Sequence, residues 1–141
     1  MTQVPTLKKF DQSDAWNLGV IAHDLAALRN YPIVIDIRQE QTSLFTVRLP
    51  GATEVNLDWA RRKRNLTLLT KQASWEHDKA RKAGHDILIE QNLDPTEYAS
   101  HGGCVPIIVN DQLVATFAIS GLPSKEDHEF AIECLNLLNG K

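Results

Sequence analysis

Residues 105–119, Val-Pro-Ile-Ile-Val-Asn-Asp-Gln-Leu-Val-Ala-Thr-Phe-Ala-Ile, set two apolar runs on either side of Asn110-Asp111-Gln112. Apolar runs rich in β-branched residues and bounded by a short polar turn read as a β-hairpin. A second stretch of the same kind lies upstream, where Ile33, Val34, Ile35 and Ile37 precede the polar turn Arg38 to Gln41 and Leu44, Phe45, Val47 and Leu49 follow it. Strands joined locally in pairs pair antiparallel, because parallel neighbours need a long crossover between them.

The segments around the hairpins read as helices. Ser13 to Asn30 places Ala15, Leu18, Ala22, Leu25 and Ala26 on one stripe, with Ser13 as its cap and Pro32 beyond its end. After Pro50-Gly51, Asn56 is positioned to cap a helix reaching about Ala73, with Trp59, Leu66, Leu69 and Ala73 on one face. A further helical stretch from about Ser74 to Ala83 is closed by Gly84. Asp94-Pro95 has the form of a short helical turn reaching Tyr98, while Asp86 to Leu93 is ambiguous. Ser124 is positioned to cap the last helix with Asp127 in a capping-box arrangement, and Phe130, Ala131, Cys134, Leu135 and Leu138 form its apolar face. The expected class is α+β, a small antiparallel sheet of about five strands with helices packed on it, as one domain over residues 1–141. A sheet this small leaves edges that need cover, so association with copies of itself is expected.

Composition narrows the function classes. The chain is 43% hydrophobic and 23% charged with a net charge of −3, which gives no polyanion-binding coat and no acidic tail. Cys104 and Cys134 stand apart without a CxxC spacing, so a zinc ribbon and a covalent haem attachment are not written here and a reducing, cytoplasmic home is expected. Met1 to Phe10 has Lys8 and Lys9 but no apolar stretch behind them, and no run approaches the roughly 18 residues of a membrane span. GxSxG, P-loop and GxGxxG patterns are absent, and His23, His77, His85, His101 and His128 are dispersed without metal-ligand spacing.

The charge is segregated. Residues 61–82 carry eight cations against Glu76 and Asp78, while the rest of the chain carries seven cations against sixteen acids. The segment has few interleaved aromatics and the acidic remainder repels a long polyanion, so no nucleic-acid partner is expected. Arg62 and Lys63 sit three and four residues after Trp59 and four and three before Leu66, on or beside the apolar stripe. Cations there need a carboxylate, carbonyls, a bound anion or an adjoining protomer, or they snorkel to water. His101-Gly102-Gly103 permits close approach, either of a flat ligand or of the chain in a tight turn. Ser120-Gly121 leads into a helix start, where backbone amides suit a carboxylate or phosphate or make an ordinary turn. Asp127 is placed to cap its own helix, to pair with Arg62, or to act as a base.

Trp59, Arg62-Lys63, Asn65, Ser74, His101-Gly102-Gly103, Pro106, Ser120-Gly121-Leu122-Pro123 and Glu126-Asp127-His128, in that order and spacing, resemble an uncharacterised branch of the haem-degrading domain family of the GlcG/HbpS type. The likeness covers most of the chain and is weakest before residue 31. The resemblance implies a profilin-like or sensor-like fold on a roughly five-stranded antiparallel sheet, assembly through dimers into higher oligomers, and binding of haem or a corrinoid-related tetrapyrrole. Three functions stay open. One is haem or tetrapyrrole binding or breakdown, with Arg62 and Lys63 meeting propionates and His101 or His128 as axial ligand. The others are a non-enzymatic oligomeric adaptor and an enzyme for a small anionic metabolite with Asp127 or His128 as base.

Overall fold

The central strand pair of the computed structural model, which describes residues 3–140, is built from one strand of each predicted hairpin. Met1, Thr2 and Lys141 lie outside the described residues, and with them the first two residues of the Met1 to Phe10 stretch. The chain runs α1 (Gln12–Leu28), β1 (Val34–Gln39), β2 (Thr42–Arg48), α2 (Glu54–Thr70), α3 (Ser74–Lys82), α4 (Ile87–Glu90), β3 (Cys104–Val109), β4 (Gln112–Ser120) and α5 (Ser124–Asn139). The sheet has four strands in the order β2-β1-β4-β3, every neighbour antiparallel. The architecture is α+β as expected, with four strands rather than about five. The remaining edge contact is a single parallel bridge from Leu7 to Val109.

Local chemistry explains each boundary. Asn110 and Asp111 both take positive φ, the two-residue turn whose twist matches a hairpin. The caps differ in detail from the sequence reading. Asp11, not Ser13, caps α1, because its carboxylate accepts the Asp14 amide while Asp14 answers its own N–H. Thr53 caps α2 and Asn56 serves as its reciprocal partner, one turn earlier than expected. Lys71, left-handed at φ 60°, stops that helix before Ala73. Asp94 to Tyr98 is a turn rather than a helix, held by Thr96 donating to the Asp94 carboxylate, and the ambiguous stretch contains the single turn α4.

The two sheet faces differ. Ile35, Ile37, Val105, Ile107, Phe117 and Ile119 point to one side, where they pack with the stripes of α1 and α5 into the main core. The alternate residues Val34, Ala118 and Cys104 face α2 at Ala60 in a smaller cluster. Between them this second face carries polar groups: Asp36, Thr116 and Ser120 on the strands, and Lys63, Arg64 and Thr67 on the helix, all buried. Asp36, 1% exposed, accepts from Arg64 at 2.8 Å, from both sides of the Arg38 Nε contact at 2.8 and 3.0 Å, and from Thr46 at 2.7 Å.

The same wiring absorbs the basic segment. Arg61 pairs with Asp58 and Glu97, Arg62 with Asp58, Lys63 with Asp127, Arg64 with Asp36, Lys79 with Glu76, and Arg81 with Asp78. Asp58, Glu76 and Asp78 answer these cations from within a turn of helix, and Asp36, Glu97 and Asp127 do so from distant parts of the chain. Among the described residues no helix is long and apolar enough to cross a membrane.

Removing Asp36 strands a buried guanidinium. Asp36→Ala is expected to lower unfolding free energy by about 3–5 kcal/mol in urea titration, well beyond the cost of Thr46→Ala, which removes a single neutral donor.

Candidate functional site

The C-terminal end of β4 is where three parts of the chain converge on a cleft of about 220 Å³. Lys63 arrives from α2, His101 from the loop before β3, and Ser120, Gly121 and Asp127 from the end of β4 and the start of α5. Trp59 and Asn56, one and two turns before Lys63 on α2, complete a wall.

The floor is an ion pair sealed from water. Lys63 and Asp127 side chains are 4% and 1% exposed, and the Lys63 ammonium donates to Asp127 Oδ2 at 3.1 Å and to the Ile119 carbonyl at 3.3 Å. Asp127 Oδ1 accepts the Leu122 amide at 2.9 Å. The partner of Asp127 is therefore Lys63, not Arg62, and the carboxylate ties down the chain entering α5. The helix itself has Pro123 as N-cap and no side-chain cap, so the expected Ser124–Asp127 capping box does not form. Ser124 instead donates to Asp78 at 2.7 Å, and the same carboxylate oxygen accepts the Gly102 amide at 3.0 Å.

The two glycines make room for the protein rather than for a flat ligand. A Cβ at Gly103, whose φ is +138°, would lie 2.7 Å from the Lys63 ammonium. One at Gly102 would lie 2.7 Å from the Ser124 carbonyl and 2.9 Å from the Trp75 ring. Both support the cleft from behind. His128 also lies outside it, fully buried and stacked on Trp75 with rings 23° apart, so it cannot present a nitrogen to a ligand. Arg62 sits over the Trp59 ring at 4.0 Å and donates to Asp58 at 3.0 Å, on the far side of the wall. The structure thus brings Lys63, His101, Ser120, Gly121 and Asp127 together, and places Arg62, Gly102, Gly103 and His128 around them.

Electrostatics give the cleft its chemistry. Burial pushes the Asp127 carboxyl up to about 6, against the opposing pull of Lys63 and of the Leu122 and Gly121 amides. The His101 imidazole is lowered, first by burial and then by Arg81, with Lys63 and Arg62 adding to the effect and Asp78 opposing it. It is neutral at pH 7, leans edge-on against Trp59 at 5.0 Å, and its buried Nδ1 has no hydrogen-bond partner. A neutral imidazole among three cations and one acid suits a donor nitrogen facing an anionic ligand. Asp78, held low by Ser124, the Gly102 amide, Lys82 and Arg81 despite its burial, was missed from the sequence. Its signal was there: a solitary aspartate three residues before Arg81 in a cationic helix.

Comparison with known proteins places this arrangement. Residues 10–136 match the sequence model of the family described as haem degrading protein HbpS-like. A UPF0303 protein of Azotobacter vinelandii is 38% identical over 130 residues, covering 91% of this chain and 78% of the relative. The crystal structure of the Ybr137w protein superposes with a TM-score of 0.86 at 29% identity, covering 96% of this chain and 82% of that one. The structure of the PduOC:heme complex matches the fold with a TM-score of 0.74 at 22% identity, covering 90% of this chain and 95% of that one.

The Asp127 carboxyl carbon is expected to titrate in NMR with a midpoint of about 6, and Lys63→Met to raise that midpoint, because the ammonium holds it down. Since the folded value lies above the unfolded one, the stability this carboxyl contributes is complete below about pH 4 and is lost as pH rises through the folded midpoint.

Proposed function

The chain belongs to the HbpS-like family of haem degrading proteins, and on that premise we propose that it binds haem or a related tetrapyrrole at this cleft. The observation that supports the reading is His101: a partly buried, neutral imidazole on the wall of the cleft, set in a net positive field beside a buried lysine. A metal-bound imidazole is usually oriented by a hydrogen bond on its second nitrogen; here the Trp59 ring supplies the orientation by packing.

The fit is to an edge of the ligand, not the whole of it. Drug-sized ligands occupy pockets of about 300–1,000 Å³, above the 220 Å³ of this cleft. Trp59 would offer the macrocycle an apolar surface at the mouth, and a second copy of the chain would supply the cover that this cleft lacks. Self-association into dimers and higher assemblies is part of the proposal. When bound, the group supplies a redox-active iron. The chain's own parts are His101 as nitrogen donor, Lys63 with Arg62 behind it as the field that draws the anionic edge, and Trp59 as the wall that excludes water. The small volume also favours a second reading, a small carboxylic metabolite with Asp127 as proton acceptor.

Titration with haemin is expected to give a shifted Soret band that saturates at a fixed stoichiometry, and His101→Ala to weaken binding by at least roughly tenfold. A flat difference spectrum, with a rise in melting temperature from small carboxylic acids instead, moves the assignment to the second reading.

A further inference from the structure

The cleft floor holds a hydroxyl that the fold leaves unused. Ser120 is 2% exposed, lines the cleft, and has no side-chain hydrogen bond among the described residues. Its oxygen is not one of the sealed, unpartnered atoms of the fold, so the hydroxyl is open to whatever enters the cleft. Beside it, the Lys63 ammonium has three N–H donors but two acceptors, Asp127 Oδ2 and the Ile119 carbonyl. Lys63, with one N–H left over, and the Ser120 hydroxyl line the same small cleft, next to a helix start that no side chain caps.

We propose that this floor is a carboxylate subsite, in which a carboxylate arm of the ligand takes the Ser120 hydroxyl and the remaining Lys63 N–H while Asp127 takes up one proton. The inference rests on the tetrapyrrole reading and deepens it by assigning the donors and the proton. Two carboxylates sharing one ammonium out of water do not both stay ionised. Burial has already brought Asp127 to the edge of protonation near pH 6, and a second anion raises it further. As a neutral acid Asp127 keeps the Leu122 N–H on Oδ1 and turns its other oxygen into a donor. One anion and one proton enter together, so the charge of the floor is unchanged.

The surrounding ionisable groups are otherwise committed. From α2, Lys63 faces Asp127 directly and Arg62 is held by Asp58. From the loop before β3, His101 is already neutral at pH 7. From α3, Asp78 is held ionised by Ser124, Gly102, Lys82 and Arg81. On α5 itself, Lys125 and Glu126 are exposed and His128 stacks on Trp75. The proton therefore belongs to Asp127.

Affinities for haemin and for haemin dimethyl ester, which has the same iron but no free carboxylate, test this between about pH 6 and pH 8. Haemin is expected to bind roughly tenfold more weakly per unit rise in pH, and the ester to bind more weakly with little pH dependence. Asp127→Asn, a stand-in for the protonated acid, flattens the haemin profile. Ser120→Ala, which keeps the ion pair, lowers haemin affinity and leaves the ester unchanged. Haemin and ester with the same affinity and the same profile overturn the subsite while leaving haem binding intact. Failure of both to bind overturns the reading on which it rests.

Discussion

A lysine ammonium and an aspartate carboxylate, each shut off from water, meet 3.1 Å apart where the central strand β4 ends. Charges at that depth lose several kcal/mol of hydration apiece, which only close pairing and further hydrogen bonds offset. The requirement reaches outward. At Gly103, φ +138°, a Cβ would run into the Ile119 carbonyl and lie 2.7 Å from the Lys63 ammonium, and the Gly103 carbonyl accepts the Ile119 N–H at 2.8 Å. The Leu122 amide is turned onto Asp127, and this fixes how the chain enters α5. Gly121, at φ +144°, makes that turn against Ile33.

A second carboxylate, Asp78, does for the outer shell what Asp127 does for the floor. It joins α3 to the Gly102 amide and to the first residue of α5, so the loop carrying His101 is tied to both helices through one carboxylate. The cleft is thus braced by two buried acids on separate helices, Asp78 on α3 and Asp127 on α5. The proposed tetrapyrrole reading rests on family membership together with the imidazole on the cleft wall.

The sheet's asymmetry makes such a site tolerable. All of the large apolar side chains of the strands that face α1 and α5 join one core. The face under α2 is left with small residues and polar groups, where Lys63, Arg64, Asp36 and Ser120 are accommodated. Stability comes from one side and chemistry is placed on the other.

Both hairpins, the apolar stripes of α1 and α5, and the resemblance to the family follow from sequence, because periodicity and turn residues are local properties. Helix starts shifted by a turn, as at Thr53, because several polar residues in a row can each cap and only the geometry chooses among them. The cations beside the stripe of α2 were visible as an anomaly, since a charge on an apolar face needs an explanation wherever the fold puts it. Which acid answers each of the two buried cations was decided by the tertiary structure: Lys63 meets Asp127 across 64 residues and Arg64 meets Asp36 across 28. Sequence holds the charges, but electrostatic pairing depends on distance in space, and only the packing of α2 across β1 and β4 sets that distance.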